Sequence, residues 1–390
     1  MSCYISSNAN RLYAGFESTY GQVPTVDAAN RFPAVKLTTR QQTDAAERRD
    51  KTGSRTFAGI PAGTRRRTTF DLKTYMTGWD HASAQSGYGP LFHASLGGTP
   101  IVYDGGIVGA GSTQSTMVFS GDHGLAPGQA ITHGGEIRFV QALVSTTTVQ
   151  LNAPLSVVPV AGAPLGPTVS YFPATELGSM SVFDYWSPST AIQRILCGAA
   201  VDKMQINING DFHEFEFSGI AQDLIDSVSF SSGLGQLTSF PDEPAAALFD
   251  YAIIPGHLGQ AWLGNTPDRF YTITNANVLV DNNLDLRARE FGSALARCIS
   301  PGRRSVSVDF DLYGDDEATS IGLYQAARQQ SPIEMMFQLG QQSGQLFGVH
   351  LQSIVPEVPE FDDGESRLQW KFKGSRAQGT VDDEIVVAFG

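Results

Sequence analysis

The chain is short of cysteine, of positive charge and of long apolar runs, and each shortage removes a class of protein. Its three cysteines, Cys3, Cys197 and Cys298, are odd in number and far apart, with neither metal-ligand nor redox spacing, so free thiols are expected. No apolar run reaches the roughly 20 residues of a membrane span, and Met1 to Ala14 lacks the charged-then-apolar build of a secretory leader, so synthesis in the cytoplasm is expected. Lys and Arg number 26 against 39 Asp and Glu, a net charge of −13. A general affinity for nucleic acid is therefore not expected, because a phosphate backbone calls for clustered positive charge.

Catalytic signatures are missing as well: there is no Gly-x-Ser-x-Gly elbow, no Gly-Lys pair of a phosphate-binding loop and no His-Glu-x-x-His zinc motif. The seven His are scattered, and Asp122-His123 sits between Gly121 and Gly124, which reads as an exposed turn. Asp281, Asn283 and Asp285 have the spacing that opens a calcium loop, but Leu286 replaces the required Gly and Gly292 stands in place of the bidentate Glu. No catalytic residue, metal or cofactor is expected. Glycoside hydrolysis needs only two carboxylates a few ångströms apart, and with 39 acids present no pattern singles out a pair.

What the chain does have is Gly, 41 of them, with 20 Pro and 41% hydrophobic residues, a composition that points to turn-rich β structure in two or three domains. It also echoes itself. Arg65-Arg66-Arg67-Thr68-Thr69-Phe70-Asp71-Leu72 returns in softened form as Arg303-Arg304-Ser305-Val306-Ser307-Val308-Asp309-Phe310, an offset of 303 − 65 = 238. Phe215-Glu216-Phe217-Ser218-Gly219 returns as Trp370-Lys371-Phe372-Lys373-Gly374, an offset of 370 − 215 = 155. The echoes keep their order, so one fold used twice is expected, residues 30–96 with 176–250 matching 268–390. The difference of 83 residues falls in a stretch from about Gly97 to Pro173 that is nearly free of charge. Short alternating runs there, at Thr116–Phe119, Glu136–Val140 and Thr148–Leu151, are separated by turn signals at 124–128 and 152–154, so a small all-β insert is expected.

Strand signals are strongest in the echoes. Val306, Val308, Phe310 and Leu312 alternate with Ser305, Ser307, Asp309 and Asp311, giving one apolar and one polar face; Met204 to Asn209, Phe215 to Phe217 and Leu368 to Phe372 behave alike. A helix is expected after each Arg-Arg strand, clearest over Asp315–Arg328, with Ile321, Tyr324 and Ala327 towards the sheet. Ten of the 26 Lys and Arg lie between Lys36 and Lys73 beside only four acids, and the long polar loop within reads as a docking surface for an acidic neighbour.

This layout resembles the major tail tube proteins of long-tailed bacteriophages, in the form that carries two tandem tube domains. The resemblance is carried best by Ile273–Leu284, by Pro301-Gly302-Arg303-Arg304 and by Gln378–Phe389. It implies a mainly β fold: two tail-tube-type β-sandwich or barrel domains, each with a flanking α-helix, at 1–97 with 174–262 and at 263–390, and an outward-facing all-β insert at 98–173. It implies no enzyme activity. Three chains would make a pseudo-hexameric ring, and stacked rings a tube for genome ejection in the virion tail, with DNA passing through unbound. Implied partners are further copies of the chain, the tail terminator, distal tail proteins and a tape measure protein in the lumen, with no membrane. Asp309 and Asp311 suit the lining, and Arg48, Arg49 and Arg55 suit contacts between rings. The alternatives are a distal tail or baseplate protein of the same fold and a tail-associated glycan hydrolase.

Overall fold

The alternating runs do form strands. The computed structural model describes every residue except 1–4, 45–50, 52, 58, 60–64, 80, 82, 187–191, 246–251, 265–266, 287–289 and 365, and the side chains of 44 and 286. The chain is mainly β, with large antiparallel sheets and two α-helices among the described residues. It opens with β1 (Arg11–Glu17), β2 (Arg31–Phe32), β3 (Ala34–Asp44), β4 (Arg65–Tyr75) and helix α1 (Gly89–Leu96). After the insert come β5 (Ser179–Tyr185), β6 (Arg194–Ile208), β7 (Glu214–Ala221) and β8 (Asp223–Asp226). The same sequence of elements then recurs: β9 (Gly259–Gly264), β10 (Asp268–Phe270), β11 (Ile273–Asp281), β12 (Ser305–Tyr313), α2 (Ala318–Gln329), β13 (Ile333–Leu339), β14 (Phe347–Val355), β15 (Glu360–Asp362), β16 (Gln369–Ala377) and β17 (Val386–Phe389).

The recurrence extends to pairing register. Leu72 of β4 stands opposite Phe217 of β7 and Leu37 of β3, and the matching Phe310 of β12 stands opposite Phe372 of β16 and Ala276 of β11. Even a β-bulge repeats, between Ala34 and Lys36 in the first copy and between Ile273 and Asn275 in the second. The long β6 pairs first with β5 and β8 and then with β7 and β11. In the second copy that path is broken at Pro356 and Pro359, which have no N–H for a ladder, into β14 and β15.

One eight-stranded wall results, in the order β3-β4-β7-β6-β11-β12-β16-β15, four strands from each copy, joined where β6 meets β11. Its apolar face, including Phe70, Phe215, Phe217, Val278, Val308, Phe310 and Phe372, packs into one core shared by both copies. Full burial of each such side chain is worth about 1.5–3 kcal/mol. α1 lies at the centre of that core: Phe92 meets Phe215 and Phe217 of the first copy and Phe347 and Phe389 of the second. The helix stops at Gly97, whose φ of 90° and a carbonyl of Glu176 only 2.2 Å from an added Cβ admit glycine alone. In α2 the residues Ser320, Leu323 and Ala327 are buried; of the three expected towards the sheet, Ala327 is buried and Tyr324 packs beside Phe361 and Trp370, whereas Ile321 is exposed. The helix starts three residues later than the acidic run suggests.

Residues 98–173 divide between two structures. Ile101–Tyr103 and Thr168–Tyr171 extend the back sheet of the second copy, Thr168–Tyr171 pairing with β17. Within them, Thr116–Val118, Thr148–Leu151, Glu136–Ser145 and Ala130–His133 form a four-stranded sheet with its own core of Val108, Met117, Ile131, Val140, Val149 and Leu151, among others. Its other face is not free: Ile137, Phe139 and Ala153 pack with Trp262, Met336, Leu346 and Val386.

Candidate functional site

The polar side of the eight-stranded wall holds a hollow over its first-copy strands, lined by Thr38, Arg40, Asp71, Lys203, Gln205 and Ser218. Period-two alternation puts every second residue of eight neighbouring strands on this one surface. Asp309 and Asp311 lie on it. Asp309 accepts the Gly374 N–H at 2.6 Å, at the irregularity where β16 bulges past β12, and Asp311 pairs with Lys373 at 3.1 Å. Across the junction of the two copies the surface is stitched by amides: Asn277 donates to Asn207 at 3.0 Å, and Asn207 to Glu216 at 3.3 Å.

The surface is not free of lysine, as a lining of hydroxyls, amides and carboxylates would be. Lys73 pairs with Glu214 at 2.6 Å and with Glu216 at 3.2 Å, Lys203 with Asp281 at 3.5 Å, and Lys371 with Asp362. The hydrogen bond that it donates to Glu214 holds the Lys73 ammonium above its ordinary pKa, so this lysine stays charged and matched at neutral pH. Each pair is at least partly exposed and worth only a few tenths of a kcal/mol to about 1 kcal/mol in stability. Their larger effect is to neutralise the lysines of β4, β6 and β16 where they stand on this surface.

Arg48 and Arg49 lie outside the described residues, and Arg55 is exposed on the loop between β3 and β4. His123 is fixed in its turn, Nε2 donating to the Ser145 carbonyl at 3.0 Å and Nδ1 accepting the Leu125 N–H at 2.9 Å, which occupies both nitrogens. Asp281 is taken up by Lys203 and by the Asn283 N–H at 3.0 Å, and Asn283 donates to the Arg303 carbonyl at 2.8 Å. No group of three His, Cys, Asp or Glu among the described residues is placed to hold a metal. No described helix is long and apolar enough to cross a membrane.

A repeated unit, a continuous polar wall and ion-paired lysines are properties of a building block. The family model for phage tail tube proteins matches residues 7–390. The chain belongs to that family. Among solved structures it is similar to the SPP1 tail tube, at 15% identity over 33% of this chain and 81% of that one, with a TM-score of 0.25. No curated protein matches it. The chain is thus a structural component of a bacteriophage tail and assembles with its own kind into a tube.

For a tail tube protein the notable parts are the polar side of the wall and its two ends. Alternation marked Asp309 and Asp311, and it equally marked Lys371 and Lys373 in the second echo. The pairs of Lys73 with Glu214 and of Lys203 with Asp281 join strands far apart in sequence, and only the fold brings them together, whereas Lys371 and Asp362 pair across successive strands. The ends of the wall, β3 and β15, carry no signature in sequence and emerge from the pairing order alone.

Proposed function

We propose that three copies of the chain close head to tail into a pseudo-hexameric ring with the polar side of the wall facing inward, and that stacked rings form the channel through which the phage genome leaves the virion. The observation that carries this reading is the wall itself: one sheet, built from two copies of a single unit, polar on one side and, among the described residues, open at both ends. A head-to-tail unit with two open edges either closes into a ring or grows without limit, and closure removes both edges. Lys73, Lys203, Lys371 and Lys373 are matched by carboxylates, which limits the grip of that part of the lining on phosphates, so DNA passes without specific binding. Asp309 and Asp311 are lining residues in this account. Rings stack through the basic loop, Arg48, Arg49 and Arg55 facing carboxylates of the next ring. The tape measure protein occupies the lumen before ejection, and terminator and distal tail proteins seat on the end rings.

The domains follow the repeat. Residues 1–97 with 174–258 form the first tube domain and 259–390 the second, the boundary at 262/263 expected from the sequence moving to Gly259 because β9 pairs with β13. The insert proper is the part between the short ladder of Gly106–Ile107 and Pro164–Leu165. Copy number tests the reading: on a denaturing gel of purified virions the chain is expected as the dominant tail band. A trace band would instead support a distal or baseplate ring of the same fold.

A further inference from the structure

The chain contains one instance of how its two repeat units join side by side. β6 of the first unit runs antiparallel to β11 of the second, with Gln205 opposite Leu279 and Asn207 opposite Asn277 on the polar face, and Ile206 opposite Val278 on the apolar face. The counterparts of these strands are the two ends of the wall. β15 matches the end of β6, since Glu360 stands opposite Lys371 as Gln205 stands opposite Glu216. β3 matches β11, since Arg40 stands opposite Thr69 as Leu279 stands opposite Ser307. Among the described residues neither β3 nor β15 has a strand on its outer side.

We infer that β15 of one copy pairs antiparallel with β3 of a second copy in the register of the internal junction: Glu360 opposite Arg40, Phe361 opposite Thr39 and Asp362 opposite Thr38. The inference rests on the ring reading and names the contact that closes the ring. Three observations support it. Ile206 is fully buried because β11 covers it, whereas its counterpart Phe361, beside Tyr324 and Trp370, is 57% exposed. The two ends also carry opposite charge: Lys36 and Arg40 are exposed on β3, and Glu357, Glu360 and Asp363 are exposed on and around β15, with none of these five in an ion pair with a described residue.

The third observation is the hydrogen-bond phase. At the internal junction the Asn282 N–H donates to the Asp202 carbonyl at 2.7 Å. Alternation then makes Met204/Val280 and Ile206/Val278 hydrogen-bonded pairs and leaves Gln205/Leu279 as a closer, non-hydrogen-bonded pair. By the same phase Phe361 turns its N–H and C=O outward, ready for Thr39. Pro359, standing at the Met204 position, forfeits one donor. A proline on this edge blunts pairing with arbitrary strands and leaves the charges to select the partner.

The test uses the full chain with Cys3→Ser and Cys298→Ser, carrying Arg40→Cys and Glu360→Cys. These positions stand at opposite ends of the wall within one chain, so a disulfide between them joins two chains. Across a non-hydrogen-bonded pair the Cα atoms lie about 4.5 Å apart, within disulfide range. Mild oxidation of assembled tubes is expected to convert most of the protein to closed trimers on a non-reducing gel. Each single variant, and Thr38→Cys with Glu360→Cys, should give less than about a tenth of that yield, because a diagonal pair is about 7–8 Å apart. Intact tubes with no cross-link, or with the diagonal pair dominant, would overturn the inference while leaving the ring reading in place. Failure of the unmodified chain to form rings or tubes would overturn that reading itself, and this inference with it. A charge exchange checks the pair without cysteine: Arg40→Glu is expected to lower the assembled fraction at least about tenfold, and adding Glu360→Arg to restore it. Absence of rescue would overturn the pairing.

Discussion

Replacing Arg138 by Met should loosen the insert from the second tube unit. Arg138 is fully buried, and its guanidinium donates to the carbonyls of Pro154 and Ile137, to Glu136 at 3.1 Å, and across the module boundary to Gln338 at 2.9 Å and Gln260 at 3.0 Å. It also lies over the Trp262 ring, 5.0 Å from the centroid. Burial pulls its pKa down to about 10, so it stays charged at neutral pH. Removing one partner of a buried pair leaves the other uncompensated, at a cost of about 3–5 kcal/mol. With an unfolding entropy of about 2.1 cal/mol/K per residue, the 390 residues give a fall in Tm of about 4–6 °C for cooperative unfolding. Adding Glu136→Gln should recover part of it by removing the stranded charge.

The pH dependence has a definite sign. Burial pushes the Glu136 carboxyl up, but Arg138 together with hydrogen bonds from Ser156 and Gln260 outweighs it and holds the group below its ordinary 4.5. A depressed carboxylate contributes stability above its unfolded pKa and loses it as pH falls through the folded one. The gap between wild type and Arg138→Met should therefore be full at pH 7 and shrink as pH drops below about 4.5. Thermal melts followed by circular dichroism check both statements. A variant melting within about 1 °C of wild type at pH 7 would show that this cluster does not clamp the insert.

Three further outcomes are expected. Replacing 106–165 by a short Gly-Ser linker should leave tubes intact by electron microscopy, whereas removing 98–173 should abolish them by taking Thr168–Tyr171 from β17; tubes from the larger deletion would show that this pairing is dispensable. Changing Arg48, Arg49 and Arg55 to Glu should shorten tubes without unfolding the subunit, each desolvated pair being worth about 1.5 kcal/mol or more against a few tenths for an exposed one; full-length tubes with an unchanged salt response would return the loop to a solvated excursion. Glu17 is buried and accepts the N–H groups of Gly21 and Gly198 and the hydroxyls of Ser179 and Ser181; Glu17→Ala should cost about 2–4 kcal/mol, and a melt unchanged within error would refute that role.

The strands of the wall were legible because each has one wet and one dry face, and the repeat was legible because the two echoes lie on strands that pair with each other in both copies. α1 was not delineated: Leu91, Phe92, Ala94, Ser95 and Leu96 are all buried, so the helix has no polar stripe to mark its period. The attachment of the insert was equally hidden, since Arg138 meets Gln260 and Gln338 more than a hundred residues away along the chain. Its low charge suggested a free-standing module, but that composition also serves a face that packs against Trp262 and Met336. Asp309 and Asp311 could be assigned to a polar face from alternation; that this face spans both repeats depended on β6 meeting β11.

The most direct measurement of the central claim is a reconstruction of the assembled protein by electron cryomicroscopy at a resolution that separates strands. The account predicts rings of three chains with the eight-stranded walls joined end to end, and Asp309, Asp311, Lys73 and Lys203 facing the channel. A ring in which these residues face outward, or a particle with no closed sheet around its axis, would contradict it.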